Sequence, residues 1–136
     1  MLLKTDFKTH IYAELIDAIT RADDSIIEEA IKSAESQAKG YLSRFDIDAL
    51  FSTTGTDRDS MLMMYLKDLA CWHFILLGNP NIHMEVVKER YNDAIKELGK
   101  IQSGKVVPHG WPPATSPEGA DTYFHVSSAP KRETRY

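Results

Sequence analysis

The sequence predicts an all-α protein. We expect a small helical bundle of three main helices, with short N-terminal helices before it and an irregular, Pro-rich C-terminal extension after it. Three observations favour this: apolar residues recur at helical spacing in three long stretches, five of the six prolines lie after residue 103, and no helical period survives there. A chain of 136 residues suffices for one modest core. We therefore predict a helical domain at 1–103 and an irregular extension at 104–136.

The N-terminal residues, Leu2–Thr20, predict two short helices. Thr5 is placed to cap a first turn that contains Asp6–Lys8, and Ala13–Thr20 carries apolar residues on one side. Helices of this length are not stable alone in water. We therefore expect both to dock on the rest of the chain.

The stretch Asp23–Ser43 predicts an amphipathic helix. Its apolar residues follow the i, i+3/i+4, i+7 pattern, and Ser25 with Glu28 matches a capping box. We place Ile31 and Tyr41 of this helix in the core. Two acid-first pairs at i, i+4 are expected to support it on the solvent side: Glu28–Lys32 and Glu35–Lys39.

A connection, Arg44–Thr56, follows this helix. Phe45, Leu50 and Phe51 are expected to close one end of the core. Asp46 and Asp48 resemble calcium ligands, but their surroundings lack the later glycine and glutamate of an EF-hand loop. The sequence therefore predicts no metal here.

The stretch Asp57–Leu77 is the one around which we expect the bundle to form. It is apolar almost all the way round a helix, and such a helix is expected to be buried between others. Thr56 with Asp59 suggests a capping-box start, and Gly78 marks the end. The predicted core residues of this stretch are Leu62, Leu66, Leu69, Trp72 and Ile75.

A second amphipathic helix is predicted at His83–Gln102, ending before Gly104. We place its Tyr91 and Leu98 in the core. Its opposite face mixes acidic and basic side chains. A basic recognition face for DNA is therefore not predicted.

Composition narrows the function classes. The net charge of −4 gives no general argument for nucleic acid, and the longest uncharged apolar run, Leu69–Leu77, is shorter than the roughly 20 residues of a membrane span. The single cysteine, Cys71, excludes an internal disulfide. The five histidines have no metal-ligand spacing, and no glycine-rich phosphate loop is present. We predict no catalytic residue, cofactor or metal.

Several motifs, in their order and spacing, resemble a known family. They are YLSRFD at 41–46, GTDRD at 55–59, YLKDLACWH at 65–73, RYNDAI at 90–95 and PHGWP at 108–112. Together they resemble the Mu-like group of small tailed-phage and prophage proteins that are encoded among head-morphogenesis genes and related to head–tail connectors. The resemblance covers about residues 5–113.

The resemblance implies a structural protein that docks as a ring beneath the portal, closes the filled head and offers a surface to the tail. Its implied partners are the portal protein, tail or adaptor proteins and further copies of itself. It implies no membrane and at most passing contact with packaged DNA. The implied location is the virion, and the host cytoplasm during assembly.

Alternative readings of the sequence remain open at this point. A Mu-like protein of this kind could also be a tail-completion component. From other classes, a small regulatory or DNA-binding helical protein would need a basic exposed helix face. An enzyme would need a polar pocket containing His73 and Asp68.

The C-terminal extension supplies the candidate interface. Trp111 needs somewhere to bury, and we expect it to insert into an apolar groove of its own chain or of a neighbouring subunit, since aromatic anchors of this kind are frequent interface hot spots. Thr122–Val126 is compatible with a short strand. The candidate interface residues are Trp111, Pro112, Tyr123 and Phe124.

Overall fold

The computed structural model describes residues 1–11, 13–21, 23–78 and 84–115. The prediction of an all-α bundle is confirmed, since the described residues contain no β-strand and only one isolated antiparallel bridge. A 3-10 helix at Lys4–Thr9 opens the chain, and a 3-10 turn at Gly55–Asp57 precedes the central helix. The α-helices are α1 (Ala13–Thr20), α2 (Ser25–Tyr41), α3 (Ile47–Ser52), α4 (Ser60–Gly78) and α5 (Met84–Gln102).

Helix α4 lies at the centre of the bundle and contacts both α2 and α5. It begins at Ser60, later than the predicted start, because the Asp59 carboxylate accepts the N–H of Leu62 at 2.8 Å. The prediction that α4 is buried all round is only half correct. Met64 is 48% exposed, Leu76 53% and Leu77 59%. The C-terminal end of this apolar helix, at Leu76 and Leu77, and the separate position of Met64 are therefore not covered by the described part of the chain.

Helix α4 is also long and apolar enough, by length and composition, to cross a membrane. The stretch Ser60–Leu77 has a mean hydropathy of 1.3, and 50% of it is buried inside the bundle. The core helix of a water-soluble protein meets the same criterion, so this is weak evidence for a membrane span.

Helix α2 packs on α4 more extensively than any other pair of helices described. Its buried face begins with Ile27 and continues with small side chains, since Ala30, Ala34 and Ala38 are fully buried at i, i+4 and i+8. Side chains this small let two helix backbones approach closely, and close approach explains how most of this face is covered by alanines.

The predicted polar contacts of α2 are replaced by others. The N-cap residue of α2 is Asp24, which makes no side-chain cap bond, so the predicted Ser25 capping box is wrong. The Asp23 carboxylate instead accepts the N–H of Ser25 at 3.0 Å. Neither predicted Glu–Lys pair is within salt-bridge distance. Glu35 instead accepts the N–H of Leu2 at 3.0 Å. Glu35 therefore pairs with the distant Leu2 and not with the nearby Lys39.

The predicted core residues fall into two groups. Five are buried: Leu62, Leu66, Leu69, Ile75 and Leu98. Four are only half-buried: Ile31, Tyr41, Trp72 and Tyr91. Trp72 and Tyr91 stack with ring centroids 5.4 Å apart, at the edge of the α4–α5 contact. Large aromatic rings with a polar end are commonly placed at such a boundary.

The N-terminal residues form an integral part of the core. Phe7 is fully buried, and Leu2 and Ile11 are nearly so. The N-cap residue of the first helix is Leu3, whose N–H is accepted by the Asp6 carboxylate at 2.8 Å, so Thr5 is not its cap.

Arg58 holds this N-terminal segment against the start of α4. Its guanidinium donates to both oxygens of the Asp6 carboxylate, at 2.6 and 3.1 Å, and to the Met1 carbonyl at 3.0 Å. Burial alone would raise the pKa of Asp6, but the hydrogen bonds from Arg58 and the Leu3 N–H outweigh burial and lower it. The carboxylate is therefore ionised at neutral pH and paired.

The connection after α2 is more regular than predicted, since it contains helix α3. The Asp46 carboxylate accepts the N–H of Ala49 at 2.9 Å and caps this helix, which gives Asp46 a structural role. Phe45 and Leu50 are buried and Phe51 is half-buried, in line with the expectation that they close one end of the core.

Candidate functional site

The candidate site is the place where the chain after α5 returns to the bundle. We call residues 103–115 the arm and residues 44–46, on which it lies, the arm-docking site. The arm begins with a tight turn. Gly104 has φ of +75°, and the N–H groups of Lys105 and Val106 are accepted by the Lys100 carbonyl at 2.9 and 3.3 Å. These bonds satisfy a carbonyl at the end of the helix and reverse the chain.

A side chain at residue 104 would also meet Arg44, whose exposed and flexible end can move aside. The Arg44 guanidinium lies so close to the Gly104 backbone that a Cβ atom on residue 104 would overlap it. A side chain at this position would therefore both strain the backbone and displace Arg44. The end of α5 and the arm-docking site are in this way brought into direct contact.

Trp111 is the anchor of the arm. It is 7% exposed and meets Phe45, which is 8% exposed, edge to face, with ring centroids 5.3 Å apart and an interplanar angle of 82°. Aromatic pairs prefer this geometry because the positive edge of one ring points at the negative face of the other. Trp111 thus occupies a groove of its own chain.

Backbone pairing continues the contact beyond Trp111. The Asp46 N–H donates to the Pro112 carbonyl at 2.9 Å, and the Ala114 N–H donates to the Arg44 carbonyl at 3.0 Å. Phe45 and Pro113 form the isolated antiparallel bridge between these two bonds. The arm therefore lies on residues 44–46 as a short extended segment lies on a strand edge, through main-chain bonds and one side-chain pocket.

One polar atom of this contact lacks a partner. The indole N–H of Trp111 is buried and has no hydrogen-bond acceptor among the described residues. An unpaired buried donor costs about 1–3 kcal/mol. The arm is accordingly held less tightly than the area of the buried Trp111 ring suggests.

The other predicted interface residues are placed as follows. Pro112 is half-buried beside Trp111. Tyr123 and Phe124, with the predicted strand at Thr122–Val126, lie outside the described residues. The role of all four as an interface stays a prediction. The pairing with residues 44–46 was not predicted, because no local pattern marks an edge that pairs with residues nearly 70 positions later.

A polar cluster lies between α2, α4 and α5. The Gln37 side-chain amide donates to the Tyr91 hydroxyl at 2.9 Å, and its carbonyl oxygen is 2.8 Å from Nε2 of His73. Burial lowers the pKa of His73, so its imidazole is neutral at pH 7 and donates from Nε2 to Gln37. The cluster is fully explained as a set of hydrogen bonds that joins three helices.

Asp68, the other residue of the enzyme alternative, faces elsewhere. One of its carboxylate oxygens is 3.4 Å from Nε2 of His10 in the N-terminal segment. Burial raises the pKa of Asp68 and lowers that of His10. Asp68 and His73 therefore do not form a pair, and the described residues contain no group of three or more potential metal ligands.

The comparisons with known proteins identify the family. Residues 3–123 match the model of the family described as bacteriophage Mu, Gp36. No curated protein and no solved structure gives a significant match. The match covers the bundle and the arm and includes every motif that carried the resemblance. The chain belongs to the bacteriophage Mu Gp36 family.

Proposed function

We propose that this chain is a structural protein of a Mu-like phage or prophage particle, a head–tail connector or head-completion adaptor that docks on the portal as a ring. Its partners would be the portal on one side and tail or adaptor proteins on the other. It would be found in the virion, after assembly in the host cytoplasm. Membership of a phage protein family supports the assignment to a phage or prophage.

The observation that carries the proposal is an apolar end of the α4–α5 pair that the described residues leave exposed. Leu76 and Leu77 at the end of α4, and Val86 near the start of α5, are each more than half exposed. Exposed apolar side chains grouped in this way commonly mark a surface for another protein. An adaptor between two particle components requires such a surface.

The alternative function, a DNA-binding helical protein, gains no support from the surface of α5. Its exposed side chains alternate in sign along the helix, so they present no basic stripe to a phosphate backbone. These exposed residues include Glu85, Lys88, Glu89, Arg90, Asp93 and Lys96.

Deletion of the gene from the phage or prophage that carries it tests the proposal. We expect electron microscopy of the induced lysate to show filled or leaking heads beside separate, complete tails. Complete heads with defective tails would instead assign the protein to tail completion. Normal, infectious particles would refute the proposal.

Complementation with surface variants tests whether the apolar end is the contact. The double variant Leu76→Glu/Leu77→Glu places two charges on exposed positions and should leave the helical circular dichroism unchanged, yet fail to restore joined particles. Leu3→Glu is the matched control, because Leu3 is 57% exposed and lies in the N-terminal segment, away from this end of the bundle and from the arm. Full restoration by the double variant would show that this end of the bundle is not the docking surface.

A further inference from the structure

We infer that a groove beside the N-terminal segment binds residues 118–124 of the same chain, with the Tyr123 ring in the groove and the Asp121 carboxylate on the ammonium group of Lys8. The inference goes beyond the proposed connector role and does not depend on it. The contact joins the region after the arm to the N-terminal segment across the surface of the bundle.

The groove lies between the 3-10 helix at Lys4–Thr9 and helix α1. It has a volume of about 320 Å³ and a mostly apolar lining. The lining residues are Lys4, Thr5, Lys8, Ala13, Ile16 and Asp17. Pockets that hold ligands have volumes of about 300–1,000 Å³, so this groove is at the small end of that range. It therefore suits a large side chain from an extended segment.

The charges at the rim of the groove favour an acidic neighbour for that side chain at one place. The Nζ atom of Lys4 is 2.6 Å from a carboxylate oxygen of Asp24, so its charge is already paired. Lys8 is exposed, and no salt bridge among the described residues involves it. Asp17 lies on α1, across from the 3-10 helix, so a carboxylate of the occupant is favoured only beside Lys8.

Residues 118–124, EGADTYF, have the chemistry that this groove requires. They contain two acids, no lysine or arginine, and two adjacent aromatic residues. Side chains alternate along an extended chain, so Asp121 and Tyr123 lie on one side and Phe124 on the other. A tyrosine places an apolar ring in the groove and keeps its hydroxyl at the wet rim. The remaining tyrosine after the arm follows an arginine, which the lysines of the groove would repel.

The family match supports the inclusion of this segment in the domain. The match runs to residue 123, whereas the described part of the arm ends at residue 115. The sequence up to Tyr123 is therefore part of what the chain shares with its family. A segment that packs on the bundle has that property.

The chain is long enough to reach the groove while the arm stays docked. Ala114 is bonded to Arg44, just after the end of α2, and the groove residue Lys4 is bonded to Asp24 at the start of α2. The 17 residues of α2 are about 25 Å long. Tyr123 follows Ala114 by nine residues, which span up to about 30–32 Å when extended. The tether therefore presents the segment to its own groove at a high effective concentration.

Nuclear magnetic resonance of the full chain tests the inference with two matched variants. Tyr123→Ala and Phe124→Ala each remove one of two adjacent rings. We expect Tyr123→Ala to shift the amide signals of the groove residues Thr5, Lys8 and Ile16, and Phe124→Ala to leave them in place. Shifts from neither variant, or equal shifts from both, would refute the inference.

Dilution separates the chain's own segment from that of a second copy. We expect the difference between the native chain and Tyr123→Ala to stay the same as the protein is diluted, because the tether fixes the effective concentration. A difference that disappears on dilution would assign the groove to a second copy and overturn the pairing within one chain.

Charge reversal at the rim tests the polar half of the contact. Lys8→Glu should make chymotrypsin cut after Tyr123 about twofold to fivefold faster, the change that corresponds to loss of an exposed ion pair. Lys96→Glu is the control, because Lys96 is exposed on α5 and the change in net charge is the same. Adding Asp121→Lys to Lys8→Glu should return the groove signals to their native positions.

Equal cleavage rates for Lys8→Glu and Lys96→Glu would show that Lys8 does not hold the segment, and the inference would fail. That failure leaves the connector proposal untouched, since the particles that the gene deletion produces decide it. Conversely, normal particles after the deletion would refute the connector role and leave the groove contact to be decided by the resonance shifts.

Discussion

The two ends of the described chain are attached to the bundle in different ways. The N-terminal segment buries Leu2, Phe7 and Ile11 in the core, and Arg58 bonds it to the start of α4 through a carboxylate and a backbone carbonyl. The arm buries Trp111 and Pro108, packs Val106 on the core and makes two main-chain bonds to residues 44–46, and its indole N–H lacks an acceptor among the described residues. Both segments therefore contribute to the core. Only the first adds a salt bridge, since none of the salt bridges among the described residues involves the arm.

This difference bears on stability. A segment fixed by several buried side chains and a charged pair separates only when the domain unfolds, because each contact would have to break together with the others. The arm has no charged pair and carries an unpaired buried donor, so we expect removal of its anchor to cost less stability than removal of Arg58. The predictions below measure the two attachments against each other.

The largest effect is expected at Arg58. Arg58→Ala leaves the Asp6 carboxylate in a mostly buried position without its cation and removes the bond to the Met1 carbonyl. We expect unfolding in urea to show a loss of about 1.5–3 kcal/mol, the range for hydrogen bonds to charged groups. Arg58→Lys keeps the positive charge but not the bidentate contact with the carboxylate. It should therefore recover only part of the lost free energy of unfolding.

The pH dependence of this loss identifies its cause. The pKa of Asp6 is lower in the folded than in the unfolded protein, so the pairing contributes stability above the unfolded value and that stability disappears as pH falls through the folded value. The stability difference between the native chain and Arg58→Ala should therefore shrink below pH 4. A difference that stays constant from pH 7 to pH 3 would show that Arg58 acts through packing of its side chain instead.

A smaller effect is expected at Trp111. Trp111→Ala removes the ring contact with Phe45, but it also removes the unpaired N–H, so we expect a loss of about 1–2 kcal/mol, below the ~3–5 kcal/mol of a Trp→Ala change in a core. Trp111→Phe keeps a ring and removes only the donor. It should cost less than about 1 kcal/mol. A large loss for Trp111→Phe would mean that the N–H does have an acceptor and that the arm is held more firmly than we infer.

The sequence predicted the parts of the fold that depend on local pattern. The helix at Ala13–Thr20 and the end of α5 at Gln102 were predicted at the observed residues, because apolar spacing and a following glycine are local signals. It did not predict the pairing of Arg58 with Asp6 or of the arm with residues 44–46, since each joins positions more than 50 residues apart. The exposed apolar end of α4 was missed for another reason. The sequence pattern of an apolar surface is the same whether the chain itself or a partner covers that surface.

The smallest effect is expected where the N-terminal segment meets α4 at His10 and Asp68. The 3.4 Å contact has the appearance of an ion pair, but burial lowers the pKa of His10 and raises that of Asp68, so each group is shifted away from its charged form. At pH 7 the imidazole is neutral, and the raised pKa means that ionised Asp68 lowers the stability of the folded state as pH rises above the unfolded value. Asp68→Asn retains a hydrogen-bonding group without the charge, and we expect it to change the free energy of unfolding at pH 7 by less than about 0.5 kcal/mol, or to increase it slightly. A loss of about 2 kcal/mol or more at pH 7 would mean that the pair is ionised, and that a second charged pair, beside Arg58–Asp6, joins the N-terminal segment to α4 and the turn before it.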